Sequence, residues 1–238
     1  MIVRASDIAA FYETPRGAVV ARLLNERLAS LWPDVRGQSI LGIGYTAPFL
    51  DPWRSRARRC IACMPAGMGV VRWPEAGGNL ACLAEDDGMP FPDMAFDRVL
   101  LAHGLETAEL PARLLRETWR VLKDDGQMLV VTPNRAGIWT HGDDSPFFLR
   151  QTFTGGQIDR LLADALFRTE RRENALWLPP TRLRFFLDSA QMLERTGRRL
   201  MPGAGGVTIT EAIKDVYAAL PLSTETAPRR RLALASAA

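Results

Sequence analysis

The segment EDDGMPFPDMAFDRVLLA, residues 85–102, decides the fold of this chain. It starts with three acidic residues, continues through a loop with two prolines and ends in the apolar run Phe96–Ala102. The Val-Leu-Leu-Ala end of that run is typical of a strand that is buried on both faces of a parallel sheet. The segment therefore predicts a central parallel strand that is preceded by an acidic loop.

On both sides of this strand, apolar runs of strand length alternate with helical patterns. Such alternation predicts a mostly parallel sheet covered by helices, which is an α/β fold. The predicted strands comprise residues 39–43, 59–64, 79–83, 96–102, 127–132, a part of 167–178, and 206–213. The predicted helices comprise residues 7–31 with a break near Thr14-Pro15, 49–58, 111–122, 154–166 and 182–195. A turn is predicted at 124–126, and Trp177, Phe185 and Phe186 are predicted to belong to the core.

Length and composition describe a globular chain. A length of 238 residues allows one large domain or two small ones. With 47% apolar and 24% charged residues, the composition differs from that of a disordered chain. We expect a single domain over residues 1–220, with an N-terminal helical segment at 1–37 and a flexible tail at 221–238. The tail is predicted from its Ser, Thr, Pro and Arg content, which carries no core signal.

The sequence gives no sign of export or of a membrane span. Its apolar runs are all shorter than the roughly 18 residues that a transmembrane helix needs. The N-terminal segment contains Asp7 and Glu13 and lacks a continuous apolar stretch, which argues against a secretory signal. Three cysteines are few and odd in number, as expected in a reducing compartment. These observations predict a cytoplasmic protein with no membrane partner.

The charge balance argues against nucleic acid as a partner. The formal net charge is only +3, and the sequence has no basic stripe with interleaved aromatic residues. Arginines do cluster within 54–59 and at 229–231. We interpret these clusters as a solvated helix face and as part of the loose tail.

Three motifs together resemble the class I S-adenosylmethionine (SAM)-dependent methyltransferases, and most closely their small-molecule type 11 group. Residues 85–97 resemble the acidic loop and "LPFPDxxFD" phrase of that family, and residues 101–106 (LAHGLE) resemble the stretch after its fourth strand. Residues 117–126 (ETWRVLKDDG) with 130–135 (VVTPNR) resemble its "RVLKPGG…VPN" block. The resemblance implies a doubly wound seven-stranded sheet in the order 3-2-1-4-5-7-6. It further implies one antiparallel strand and helices on both faces.

The resemblance also implies a binding site for SAM across the carboxyl ends of the strands, at the switch point of the sheet. Gly44 would underlie the methionine portion, Met64 would lie by the ribose, and Glu85 would meet the adenine edge. Tyr12 either covers the mouth of this site or only packs against the sheet. The complete set of expected cofactor-binding residues is Gly42, Gly44, Tyr45, Met64, Glu85, Asp86, Ala102 and Tyr12.

The first glycine-rich loop departs from the family pattern. Gly42 stands where an acid is usual, Thr46 and Pro48 stand where later glycines are usual, and residues 60–68 contain no acid for the ribose hydroxyls. Each charged hydrogen bond is worth roughly 1.5–3 kcal/mol, so two lost bonds weaken binding by about 3–6 kcal/mol. That loss corresponds to on the order of 10²–10⁴ in affinity. Replacement contacts, for example from Tyr45 or Tyr12, would offset part of it.

Other chemistry-bearing residues carry weaker signals. His103 follows the fourth strand and is the candidate catalytic base, although it could simply pack there. His141 lies in a variable loop, where a solvated side chain is expected. Cys60 and Cys63 have CxxC spacing but lack further ligands, so no metal site is expected, and Cys82 is expected in the core.

Two functions remain open from the sequence. The first is methyl transfer from SAM to a small-molecule substrate. The second is a non-catalytic protein of the same fold with weak or lost cofactor binding, which serves as a binding or regulatory subunit for a protein partner or as a homodimer. Fold alone does not decide between them, because one fold supports many functions.

Overall fold

The computed structural model describes residues 4–137, 139, 146–147, 152–181 and 184–216. Within these residues seven strands form one sheet in the order β3-β2-β1-β4-β5-β7-β6. The strands are β1 (Ser39–Gly44), β2 (Arg59–Pro65), β3 (Ala81–Ala84), β4 (Phe96–Ala102), β5 (Leu122–Pro133), β6 (Phe167–Ala175) and β7 (Val207–Lys214). Strands β1 to β5 run parallel, and β7 is antiparallel to both β5 and β6. The predicted fold class and strand order are confirmed.

Helices cover both faces of the sheet. The seven helices within the described residues are α1 (Ala5–Glu13), α2 (Pro15–Leu31), α3 (Ala47–Arg54), α4 (Pro111–Val121), α5 (Gly155–Asp164), α6 (Arg184–Asp188) and α7 (Ala190–Leu200). Alternate residues of the central strands face opposite sides, as the pleat requires. In β1, Ile40 packs into the core shared with α1, α2 and α3, whereas Leu41 and Ile43 pack into the core shared with α4 and α5.

The predicted turn at 124–126 is wrong, because these residues lie inside β5. Phe96 pairs with Leu122 and Arg98 pairs with Gln127, so four residues of β5 stand opposite the single residue between them, Asp97. The Asp97 carboxylate binds the Lys123 Nζ at 2.5 Å and accepts the Ser39 backbone N–H at 2.8 Å. The turn-like Asp-Asp-Gly sequence therefore forms a bulge that Asp97 holds in place.

Two further predictions need correction at the level of residues. Helix α3 spans Ala47–Arg54 and not 49–58, because Pro48 is accommodated in its first turn. Trp177 is buried and Phe186 is partly buried as predicted, but the Phe185 side chain is 73% exposed. The predicted tail at 221–238 lies outside the described residues. None of the helices that the structure describes has the length and apolar content of a membrane span.

A tight elbow between α1 and α2 sets the position of α1 on the sheet. Pro15 occupies the first turn of α2, and the Thr14 hydroxyl caps that helix by accepting the Gly17 backbone N–H at 3.0 Å. A side chain at Gly17 would collide with the Phe11 carbonyl oxygen and would lie 2.6 Å from the Tyr12 Cα. The elbow closes only because residue 17 is glycine.

We predict that Gly17→Ala destabilises the chain by roughly 1–3 kcal/mol, since the added methyl group forces α1 away from α2. The measurement is urea unfolding. Gly156→Ala is the matched control, because Gly156 also lies in the first turn of a helix but has open space around its Cα. Alanine has the higher helix propensity, so the control should be neutral or stabilised by up to about 1 kcal/mol. Equal effects of the two substitutions would contradict the role of the elbow.

Candidate functional site

The carboxyl ends of β1 and β4 meet at the switch point of the sheet, where doubly wound folds bind ligands. Gly44 ends β1 opposite Ala102 and has a φ of +86°, which favours glycine. A Cβ at position 44 would collide with the Ala102 carbonyl oxygen and lie 2.6 Å from the Gly104 nitrogen. Glycine is therefore required at 44 for the two strand ends to approach each other.

The glycine at position 42 is matched by the threonine at position 46. A Cβ on Gly42 would collide with the Thr46 hydroxyl and would lie 2.7 Å from the Leu50 Cδ1. Thr46 is fully buried, and its hydroxyl has no hydrogen-bond partner in the described structure. Thr46 thus fills the space that an acidic side chain at 42 would need, which explains how the loop folds without that acid.

An aromatic cluster, formed by Tyr12, Tyr45, Phe49, His103 and Phe147, lies over these strand ends. Its central contact is the stack of Tyr12 on Tyr45, with ring centroids 6.0 Å apart and planes inclined by 12°. Tyr12 also meets the Phe49 ring edge-on at 5.5 Å, and its hydroxyl lies 2.8 Å from the His103 Nε2. Tyr12 and Tyr45 are only 8% and 7% exposed. The five side chains therefore form a packed, buried cluster at the strand ends beside Gly44, where the resemblance implies the methionine portion of the cofactor.

Within this cluster, His103 forms a buried pair with Glu106. The His103 Nδ1 lies 3.7 Å from the Glu106 Oε1. Burial lowers the pKa of His103 to about 3 and raises the pKa of Glu106 to about 8. Both groups are therefore uncharged near neutral pH, as expected for ionisable groups removed from water without a charged partner. Both Glu106 oxygens and the His103 Nδ1 lack a hydrogen-bond partner in the part of the chain that the structure describes.

Glu106 is not among the site residues predicted from the sequence. The available signal was an acid inside the apolar run LAHGLE, three residues after His103. Burial also raises the pKa of Tyr12, and it raises the pKa of Tyr45 to about 12. The whole cluster consequently carries no charge near neutral pH.

A separate cavity of about 240 Å³ lies beyond the ends of β2 and β3. Its lining residues are Ala66, Gly67, Glu85, Asp86, Asp87, Glu109 and Leu110. The Asp86 carboxylate accepts the Glu109 backbone N–H at 2.9 Å and so holds the segment after β4 against the acidic loop. Glu85 lines the cavity and is exposed to solvent.

The structure distributes the predicted site residues over two places. The first place is the ends of β1 and β4, which bring together Gly44, Tyr45, Ala102, Tyr12 and His103. Gly42 lies in β1, on the same face of the strand as Gly44 and before it in the chain. Glu85 and Asp86 meet at the acidic cavity.

Met64 belongs to neither group. It is fully buried, and its sulfur accepts the Val71 backbone N–H at 3.3 Å. Ala66 and Gly67, which the sequence did not single out, line the cavity at the end of β2. His141 lies outside the described residues. Among the residues that are described, no three His, Cys, Asp or Glu side chains are grouped to hold a metal ion.

Comparison with known proteins agrees with this geometry. Residues 35–130 match the family model described as "Methyltransferase domain". Over 211 residues the chain is 28% identical to Rv2003c, a protein of Mycobacterium tuberculosis, covering 84% of this chain and 69% of that one.

Solved structures share the fold at low sequence identity. A SAM-dependent methyltransferase from Archaeoglobus fulgidus superposes with a TM-score of 0.62 at 17% identity, covering 86% of this chain and 98% of that one. A chain from a Haloferax volcanii complex of a methyltransferase with a methyltransferase activator gives a TM-score of 0.61 at 15% identity, covering 89% and 99%. The sheet order and these matches define a doubly wound methyltransferase fold. Similarity to a methyltransferase domain is therefore shown for residues 35–130, and the sheet as a whole has the fold of the class I SAM-dependent methyltransferases.

We predict that Glu106→Gln removes a pH dependence of stability. Folded Glu106 stays protonated up to about pH 8, whereas in the unfolded chain it ionises near its ordinary value of 4.5. Over this interval the folded state binds more protons, so this group makes the wild type less stable as pH rises, by about 1.4 kcal/mol per pH unit. His103 acts in the opposite direction below its ordinary value of 6.5, because there only the unfolded state is protonated.

The informative interval is therefore from about pH 6.5 to about pH 8. Within it, Glu106 differs in protonation between the folded and the unfolded state, whereas His103 is neutral in both. Urea unfolding should show that Glu106→Gln gains up to about 2 kcal/mol relative to wild type over this interval. Glu170→Gln on β6 is the exposed control and should follow the wild type. A variant curve parallel to that of the wild type would show that Glu106 ionises normally in the folded chain.

Proposed function

We propose that this chain binds SAM and transfers its methyl group to a small-molecule acceptor. The observation that carries the proposal is the acidic cavity at the ends of β2 and β3, on the same edge of the sheet as Gly44. Bound SAM supplies an electrophilic methyl group on a sulfonium. The displacement depends mainly on holding the two reactants in line, so the chain needs few catalytic side chains.

The cavity fits the nucleoside half of the cofactor. Sites for whole drug-sized ligands typically enclose about 300–1,000 Å³. The cavity of about 240 Å³ suits the adenosine portion but not the complete molecule. Glu85 would accept hydrogen bonds from the adenine amino group, and the open space beside Gly67 would admit the ribose where other family members place an acid.

The methionine half requires that Tyr12 moves. Tyr12 would give up its hydrogen bond to His103, worth about 0.5–1.5 kcal/mol, and its stacking on Tyr45, worth about the same. Together these contacts amount to roughly 1–3 kcal/mol, which would weaken cofactor binding by on the order of 5- to 150-fold. Withdrawal of α1 would open a path to Gly44 and at the same time uncover His103.

His103 would then serve as the base. Its Nε2 faces Tyr12 and would face the acceptor after Tyr12 withdraws. Burial lowers the pKa of His103 to about 3, so the ring is a weak base while Tyr12 covers it; withdrawal of Tyr12 would admit water, raise that pKa towards its ordinary value of 6.5 and let Nε2 take a proton from the acceptor. The same entry of water would let Glu106 ionise, and its carboxylate, 3.7 Å from Nδ1, would then stabilise the imidazolium.

A second candidate is a non-catalytic protein with a closed cofactor site. The buried stack of Tyr12 on Tyr45 favours it, because the two rings would occupy the place expected for the methionine end of the cofactor. Exposed apolar side chains on and after α6 and α7 would suit a protein partner or a second copy of the chain; they are Phe185, Met192, Leu200 and Met201. Under either candidate the protein would be cytoplasmic and would not bind nucleic acid.

We predict that Glu85→Ala weakens binding of S-adenosylhomocysteine by about 1.5–3 kcal/mol in a calorimetric titration, through loss of one charge-assisted hydrogen bond. Glu170→Ala removes an exposed acid from β6, which is the outer strand on the side of the sheet away from β2 and β3. This control should leave the affinity unchanged. If the wild type shows no binding at high ligand concentration, the non-catalytic candidate is favoured. Binding that is indifferent to Glu85 would instead mean that the adenine lies elsewhere.

We predict that Tyr12→Ala increases the affinity for S-adenosylhomocysteine by on the order of 5- to 150-fold, because the ring no longer competes for the site. Tyr12→Phe keeps the stack and removes only the hydroxyl, so it should give a smaller increase. The same titration measures both variants. Weaker binding by Tyr12→Ala would identify Tyr12 as a cofactor contact rather than a competitor.

A further inference from the structure

Two of the three cysteines are neighbours across the edge of the sheet. Cys63 of β2 and Cys82 of β3 are direct register partners in a parallel pair of strands. Both lie on the face covered by α4 and α5, where Cys63 is buried and Cys82 packs against the same core while remaining partly exposed. Cys60 lies on the opposite face of β2. The thiols that can meet are therefore those of Cys63 and Cys82, and not the pair with CxxC spacing.

The backbone separation suits a covalent link. Adjacent strands lie about 4.7–4.9 Å apart, and disulfides bridge Cα atoms that are roughly 4.4–6.8 Å apart. Register partners in parallel strands project their side chains in the same direction, so the two Cβ atoms do not diverge. β3 is the short edge strand of the sheet, which allows the small adjustment that brings the sulfur atoms into bonding distance.

The two thiols differ in reactivity. Cys82 is reachable from solvent, and hydrogen bonding with the Cys63 thiol lowers the pKa of Cys82. The same interaction, together with burial, raises the pKa of Cys63. Because the thiolate is the nucleophilic form, Cys82 reacts first with an oxidant and Cys63 resolves the product.

We propose that Cys63 and Cys82 form a reversible redox site that is oxidised to a cross-strand disulfide by hydroperoxides. The Cys82 thiolate attacks a peroxide oxygen, the O–O bond breaks, and Cys82 sulfenic acid and hydroxide form. The Cys63 sulfur then attacks the Cys82 sulfur; the S–S bond forms, the S–O bond breaks, and the departing hydroxide takes the Cys63 proton as water. Overall the two thiols give two electrons to one hydrogen peroxide, which becomes two waters. A dithiol reverses the modification.

The link lies next to the acidic cavity. Pro65 and Ala84 form the last register pair of β2 and β3, and the residues that follow them line the cavity. Oxidation consequently fixes the spacing between two cavity walls, and it ties the edge strand to the body of the sheet. Formation of the bridge depends on the register of the two cysteines and requires no bound cofactor.

The test is mass spectrometry of the full chain after brief treatment with hydrogen peroxide. The wild type should lose two hydrogens and retain one titratable thiol after denaturation, and dithiothreitol should restore all three thiols. Cleavage after arginine leaves Cys60 and Cys63 on one peptide, because no arginine lies between Arg59 and Arg72. The Cys60→Ser variant therefore assigns the bridge: it should still lose two hydrogens and should retain no free thiol.

Cys63→Ser is the complementary variant. It should form no intramolecular bridge, and Cys82 should accumulate as a sulfenic acid that dimedone traps. Hydrogen exchange of the oxidised wild type should slow at the β3 amides. The proposal is overturned if the wild type keeps three free thiols or gains only oxygen, or if Cys60→Ser abolishes the bridge. The results for the wild type and for Cys60→Ser decide whether the bridge joins Cys63 and Cys82, so a folding defect in Cys63→Ser would not affect the conclusion.

Discussion

The close approach of β1 and β4 at Gly44 is the constraint on which the rest of the site depends. With no side chain at 44, the ends of the two strands come together, and the residues that follow them, Tyr45 and His103, both contact Tyr12. His103 itself has a φ of +55°, which turns its side chain under α1 towards Tyr12. The elbow at Gly17 then holds α1 where Tyr12 can meet both rings. One missing side chain thus sets the arrangement of an entire aromatic cluster.

The site consists of two halves with different physical character. At the ends of β2 and β3 an acidic, open cavity faces solvent, and at the ends of β1 and β4 an uncharged, buried cluster excludes it. A ligand could enter the first half without any rearrangement, whereas the second half must be opened. Under the proposed function, binding energy gained in the cavity would be available to displace Tyr12, and recognition of a nucleoside would be coupled to movement of α1.

Much of the fold was predictable from the sequence, because strand-length apolar runs and the motif order within 85–135 both report on the buried sheet. The errors arose where local composition and tertiary contacts disagree. Asp124-Asp125-Gly126 has the composition of a turn, but the partners of Asp97 keep it within β5. Phe185 is aromatic, yet the short helix α6 leaves it exposed.

Less of the site was predictable. The departures at 42 and 46 were visible in the sequence, but their mutual packing was not, since it depends on the turn between β1 and α3. Similarly, the choice between Tyr12 as a cover and Tyr12 as packing required the position of α1. Glu106 escaped notice because a glutamate carries no mark of burial in the sequence, and only its missing hydrogen-bond partners draw attention to it.

The packing of Gly42 against Thr46 also restricts how this loop can change by mutation. An acid introduced at 42 alone would collide with Thr46 and Leu50, and removal of the Thr46 side chain alone would leave a void in a close-packed region. Each single step is therefore unfavourable, although the double change restores the arrangement usual in the family. The two positions are therefore coupled, so that a substitution at either one is tolerated only together with a matching substitution at the other.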